Sequence, residues 1–410
     1  MKLLYVTPFL RIPADFGSAI RNYHILQHLL RRHEVLVVTY GSDQTGRTDE
    51  WIADLGGVCE RLPFAFPWNP EQSRYWSTLQ RICTYPASRF QRFAPSRLAN
   101  HLQELLAHHP DIDLILFDSQ LVGQALLYQV FTRPCVLVLH DIYETIWRRQ
   151  LAGTGLRPYA VVYAAEWLKT VLYERRILRR FRHIVTVSSS DQATLKARSL
   201  QADIALFPNG VDTTCFAPSS SAKHGKTLLF VGTFGYPPNV DAFRYFYREI
   251  LPLIRERYPQ VHFMAVGHYP SPEMQAIAAN DTGVTVTGSV EDVRPYYARA
   301  SVVVVPLRAG GGLKLKTLEA FAMQVPVVAT PVGSEGIAAH DGTHLLVAAT
   351  ATAFAEKVVC LLEHSEEAHA MARRARLLAQ KEYDWRTIAG KFGNYLKQIG
   401  GRPGVVNPIR

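Results

Sequence analysis

The chain has 410 residues, 48% hydrophobic and 20% charged, which suits two globular domains and excludes a disordered protein. The net charge of +10 is unevenly spread: residues 1–200 hold 24 Lys+Arg against 17 Asp+Glu, residues 201–380 hold 15 against 16, and residues 381–410 hold 6 against 2. The first half and the tail are therefore basic and suited to an anionic partner, whereas the later part is neutral.

The N-terminal "MKLLYVTP" reads as a short strand ending at Pro8. It lacks the apolar region and cleavage site of a secretory leader. No run of about 18 apolar residues offers a membrane span. The five cysteines are scattered without metal-ligand spacing, as suits reduced thiols. A cytoplasmic protein, peripheral at most to the inner face of the plasma membrane, is the expectation.

Apolar runs then alternate with amphipathic stretches. The runs are "KLLYVTP", "HEVLVVTY", "IDLILFD", "PCVLVLHD" and "HIVTVSS". Between them lie helical patterns such as "SAIRNYHILQHLLRRH" and "YAAEWLKTVLYERRILRRF". Near-continuous Val, Ile and Leu between helices is the pattern of a parallel sheet covered on both faces. "RYWSTLQRICTYPASRFQRF" interleaves Arg74, Arg81, Arg89 and Arg92 with Tyr75, Trp76, Phe90 and Phe93. That mixture suits an acceptor-binding or anionic-membrane surface. "ERRILRRFRH" sets Arg175, Arg176, Arg179 and Arg180 on one helical stripe, read as a solvated face. No RNA- or DNA-binding motif occurs, so no nucleic-acid partner is expected.

The Pro-, Ser- and Lys-rich segment from Phe207 to Lys226 reads as a linker. The pattern restarts beyond it as "TLLFVGT", "VHFMAVG", "VTVTGSV", "ASVVVVPL", "VPVVAT" and "THLLVAA". The fold class is thus α/β: two doubly wound, Rossmann-like domains, 1–206 and 207–383, facing a central cleft. Ligands in such sheets bind beyond the carboxyl ends of the strands.

"SVVVVPLRAGGGLKLKTLEAFAMQ" falls at such an end. Gly311 and Gly312 let backbone N–H groups face a ligand. The following helix start favours an anion, and Lys314 and Lys316 add positive charge. In extended backbone the two lysines would point to one side; inside a helix they would diverge, and one alone would reach a phosphate. Glu319 would repel phosphate but accept from sugar hydroxyls. The ligand so described is a nucleotide sugar. In the first half, Gly17 follows the first strand and permits close backbone approach to a diphosphate. His140 ends the run "CVLVLH", and Asp141 and Glu144 beyond it are candidate weak bases for an acceptor hydroxyl. Asp118 ends another strand. Arg21 could reach phosphate, although an arginine in a first helical turn is usually solvated.

These passages resemble the glycosyltransferases of family four, which have the GT-B fold, nearly end to end. The similarity runs through "TPFLRIPADFGSAIRNYHILQHLLRRHEVLVVT", "VTVSSSDQATL", "FPNGVDTTCFAP", "LLFVGTFGYPPNVDAFRYFYREILPLI", "VTVTGSVEDVRPYYARASVVVVPL" and "LEAFAMQVPVVATPVGSEGI". The family's second glutamate matches Glu319, but its first would stand at Gly311. The loop "GTFGYPPNVD" carries no cation where the family has an arginine and a lysine, which leaves the charge to Lys314 and Lys316. Gln324 replaces a common glycine.

The resemblance implies retaining transfer from a nucleoside diphosphate sugar, UDP among the candidate bases, to a glycan, lipid-linked or small hydroxyl acceptor. It implies no cofactor and no bound metal. His140 would contact the sugar. Gly232, Gly311, Gly312, Leu313, Lys314 and Lys316 would hold the diphosphate, with Asn239 flanking the loop. Val290 would lie by the base, Glu319 on the ribose, and the tail 384–410 against the first domain. Tyr296 and Tyr297 read as packing. The alternatives are a nucleotide-sugar epimerase of the same fold and a non-catalytic nucleotide-sugar-binding relative.

Overall fold

The computed structural model describes residues 1–10, 12, 17–41, 46–62, 85–87, 90, 93–154, 160–218, 226–310 and 312–401, with backbone alone at 149–150 and 152–154. The chain forms two compact units: Met1–Pro208 with Ala389–Arg410, and Asn209–Ile388. The division falls two residues beyond the expected 206, and the return to unit 1 begins at Ala389 rather than 384. Within unit 1 the rings of Phe392 and Tyr395 pack on Phe207, with centroids 5.2 and 5.3 Å away.

Unit 1 is built on seven strands: β1 Lys2–Thr7, β2 Glu34–Tyr40, β3 Val58–Leu62, β4 Leu114–Phe117, β5 Cys135–Leu139, β6 His183–Thr186 and β7 Asp203–Leu206. All pair in parallel in the order β3-β2-β1-β4-β5-β6-β7. Leu3, Leu4, Tyr5 and Val6 are all buried, because helices cover both faces. The helix Gly17–Leu30 presents Ile25, Leu26 and Leu29 to the core. The winding reverses between β1 and β4, and their register pairs Val6 with Phe117. Thr7 and Asp118 therefore emerge side by side at the carboxyl edge, where a doubly wound sheet opens a crevice.

Unit 2 repeats the plan with β8 Thr227–Val231, β9 His262–Val266, β10 Val284–Val286, β11 Val302–Val305, β12 Val327–Ala329 and β13 Leu346–Val347. Their order is β10-β9-β8-β11-β12-β13, again parallel. Its core holds Phe230, Phe243, Phe246 and Phe263, all fully buried. The reversal here lies between β8 and β11. Gly232 follows the first of these strands and the glycine-lysine loop follows the second.

Candidate functional site

In unit 2 the helix Leu315–Ala322 begins one residue after Lys314, whose backbone is still extended at φ −89° and ψ 97°. The two lysines consequently diverge. Lys314 turns back and donates to the Gly312 carbonyl at 2.7 Å. Lys316 crosses to the β8 loop and donates to Asn239 Oδ1 at 2.9 Å, with its ammonium 4.5 Å from the centre of the Phe230 ring. Asn239 in turn donates to the Thr233 carbonyl at 2.8 Å, which fixes its oxygen toward the lysine.

Gly232 lies directly against this pair. A Cβ there would stand 3.0 Å from the Asn239 amide and 3.0 Å from Lys316 Nζ. Any side chain there would press on the Lys316–Asn239 pair. Gly310 and Gly312 adopt φ +114° and +69°, backbone that a side chain would strain. Gly311 lies outside the described residues. Leu313 is buried, so its side chain belongs to the core.

Burial pushes the Lys316 ammonium down to about 7; Glu319 opposes the shift and Lys314 adds to it. Burial pushes the Glu319 carboxyl up, against the Tyr297 hydroxyl and Lys316. Tyr297 donates to Glu319 Oε2 at 2.8 Å. The Tyr297 ring is indeed packed, as expected, but its hydroxyl orients the glutamate. A buried tyrosine one turn before β11 gives no sequence cue to that second task. Val290 follows β10, the outer strand, and lines a groove of about 970 Å³ with Arg294 and Tyr296. The neighbouring Ser289 meets His268 of the β9 loop at 2.7 Å.

In unit 1 the carboxyl edge gathers a second polar cluster. Asp118, 3% exposed, accepts from Thr7 Oγ1 at 3.2 Å through one oxygen and contacts His140 Nε2 at 3.1 Å through the other. Asn22 Nδ2 donates to Thr7 Oγ1 at 3.2 Å. Arg21 is not solvated as its position suggested. It is 1% exposed, and its guanidinium donates to the Pro208 carbonyl at 3.0 Å. Desolvation lowers it to about 10, opposed first by the Asp118 charge. Thr7 and Asn22 were missed in the sequence; a polar pair across the first strand and helix was the available signal.

Gly17 opens its helix half-buried, and residues 13–16 before it are outside the described set. Asp141 is exposed, and its carbonyl accepts from Gln120 Nε2 at 3.2 Å. Glu144 is held in an ion pair by Arg198 at 2.7 Å. Arg74, Trp76, Arg81, Arg89 and Arg92 lie outside the described residues. Phe90 and Phe93, expected on the same interfacial surface, are each 1% exposed in the unit 1 core; that expectation is corrected. Among the described residues no three His, Cys, Asp or Glu side chains gather as a metal site requires, and no helix is long and apolar enough to cross a membrane.

A model of Glycosyltransferase Family 4 matches residues 17–214, and one of Glycosyl transferases group 1 matches residues 225–364. A GDP-mannose-dependent alpha-(1-6)-phosphatidylinositol monomannoside mannosyltransferase of Mycobacterium tuberculosis is 30% identical over 298 residues, 63% of this chain and 76% of the relative. A phosphatidyl-myo-inositol mannosyltransferase of the same organism is 27% identical over 218 residues, 50% of this chain and 56% of that one. The chain spans about half the length of the first curated relatives it matches. Among solved structures, a sucrose-phosphate synthase from Thermosynechococcus elongatus superposes with a TM-score of 0.69 at 18% identity, covering 98% of this chain and 100% of that one.

Proposed function

Because the chain belongs to the glycosyltransferases of family four, with their GT-B fold, we propose that it moves a hexosyl group from a nucleoside diphosphate sugar to a hydroxyl of a lipid-linked or glycan acceptor, retaining the anomeric configuration. The observation that carries this reading is the Lys316–Asn239–Gly232 cluster at the strand reversal of unit 2. It offers a desolvated cation and open backbone where a diphosphate can lie. We assign GDP-mannose as the donor, on the strength of the 30%-identical mannosyltransferase. A lipid-linked acceptor would place the enzyme at the inner face of the plasma membrane.

In the reaction the bond from sugar C1 to the phosphate oxygen breaks, and its electron pair stays on the diphosphate. The acceptor oxygen bonds C1 from the same face, and its proton passes to the leaving phosphate. Lys316 and the loop N–H groups stabilise the charge that grows on the diphosphate, which lowers the barrier more than it tightens ground-state binding. Glu319, oriented by Tyr297, accepts from the ribose hydroxyls. His140, held by Asp118, meets the sugar. No step in this scheme requires a metal.

A donor panel with a phosphatidylinositol mannoside acceptor tests the reading. Mannosyl transfer from GDP-mannose, undiminished in excess EDTA, is the expected result. Release of an isomerised sugar without acceptor would point instead to an epimerase, and tight nucleotide binding with no turnover on any donor would point to a binding protein.

A second expectation concerns pH. An arriving diphosphate raises the Lys316 pKa from its free value of about 7. Binding should then take up a proton above pH 7. Affinity should be level below pH 7 and fall by up to about tenfold per unit above it. Calorimetric titration of GDP at pH 8, in two buffers of different ionisation enthalpy, counts the proton. Zero uptake would remove Lys316 from the phosphate.

A further inference from the structure

The arginine stripe read from sequence as a solvated face is exposed at Arg175, Arg176 and Arg179, and part of it also lines a concavity of unit 1. Arg175, Arg179 and Arg180, at the end of the helix Ala160–Leu178, meet Arg182 and Arg198 around one cavity of about 1130 Å³. Cys135, the first residue of β5, is at its wall. The cavity therefore opens at the amino edge of the sheet. His140 stands five residues on, beyond the other end of the same strand, about 16 Å away at roughly 3.3 Å per residue. The groove is not part of the carboxyl-edge cluster.

Its charge is not neutralised from within. Among the described residues no aspartate or glutamate lines it. Arg198 is engaged by Glu144 and Glu174, at 2.7 and 3.5 Å. Asp203 lies 3.7 Å from the lining His183. Arg175, Arg179, Arg180 and Arg182 form no ion pair among the described residues. Elsewhere exposed arginines do find partners: Arg244 and Arg248 both reach Glu273, and Arg308 reaches Asp241. Part of the basic character has an ordinary cause, since cations near a helix carboxyl terminus offset its dipole. That accounts for Arg175 and Arg179. It does not account for Arg182, which lies beyond the helix and joins the same concavity.

Four unpaired guanidinium groups around one concave surface focus a positive potential and match phosphate oxygens in pairs. A phosphate group carries about two negative charges near pH 7, so two of them balance four arginines. The volume exceeds what one phosphate fills. We propose that this groove binds an anion bearing two or more phosphate groups, at a site separate from the donor edge.

Calorimetry with inorganic pyrophosphate at physiological salt tests the site on the full chain. Three variants are compared with the parent: Arg179→Ser with Arg182→Ser, Lys316→Ala, and Arg248→Ser with Arg257→Ser as a charge-matched control. The groove variant should lose at least tenfold in affinity for one pyrophosphate, whereas the Lys316 variant and the control retain that site. All the substituted groove arginines are exposed, so a melting temperature equal to the parent's certifies the fold. Undiminished binding by the groove variant, equal loss in the charge control, or no binding beyond that removed by Lys316→Ala overturns the proposal. A sedimentation arm with phosphatidylcholine vesicles containing phosphatidic acid then separates the sources. Sedimentation that the groove variant loses and pyrophosphate displaces supports a lipid headgroup. Pyrophosphate binding without it supports a soluble anion.

Discussion

Replacing Lys316 with alanine is expected to reduce transfer by about 10²–10³-fold while the protein folds normally. The magnitude is that of losing one preorganised group aimed at charge developing in a transition state. Lys316 is suited to that task because its surroundings make it poorly solvated before substrate arrives. Its ammonium lies over Phe230 and against Asn239, and burial holds its pKa near 7. The ligand's negative charge replaces missing water.

The same geometry predicts the sign of the stability change. The folded pKa is below the unfolded value, so the cost of the buried charge is full below pH 7. It fades as the pH rises from there toward the ordinary lysine value of 10.5. At pH 6 the alanine variant should therefore melt no lower than the parent, unlike an ordinary core truncation. Lys314→Ala should cost far less activity, since that ammonium is already committed to the Gly312 carbonyl. Steady-state kinetics and melting curves at pH 6 and 9 check both. Equal losses for the two lysines would mean that the loop reorganises and that the observed divergence has no functional meaning.

What the sequence made legible follows from how strongly each feature is patterned. The six strands of unit 2 are mostly apolar runs, and each was read. In unit 1 the two missed strands are the edges β3 and β7. "VCERL" pairs on one side and carries Glu60 and Arg61 half-buried in the middle of the strand, and "DIAL" is too short to stand out from the turn that follows it. The lysine pair was read with two outcomes open, because alternate spacing cannot show where a helix starts. Phe90 and Phe93 were misjudged for a related reason. Aromatics beside arginines look alike whether they face a lipid surface or a core, and burial alone distinguishes them. Arg21 shows the converse: a charge can be buried when a strand end supplies Asp118 opposite it, and such pairing across distant segments has no local signature.

That pairing is the basis of the second large effect. His140→Ala is expected to lower kcat by about 10²-fold or more, with little change in the KM for donor and little loss of stability. Asp118→Asn should match the loss in kcat but also destabilise the fold by about 3 kcal/mol, because it leaves the Arg21 charge buried without its counter-charge. The difference comes from Asp118 acting in two directions. One oxygen faces His140 Nε2 at 3.1 Å, and the other takes the Thr7 hydroxyl at 3.2 Å. A carboxylate so placed keeps the imidazole proton on Nε2 and leaves the Nδ1 lone pair for a sugar hydroxyl. Asparagine can present its amide N–H to Nε2 instead, which moves the proton to Nδ1 and turns an acceptor into a donor. The asparagine variant should therefore show a changed imidazole tautomer by ¹⁵N resonance, at a pH where the histidine is neutral. A variant with reduced stability, unchanged tautomer and unchanged kcat would reduce Asp118 to a structural partner of Arg21. Loss of kcat in His140→Ala without any tautomer change in Asp118→Asn would keep the histidine at the sugar and remove Asp118 as the group that sets it.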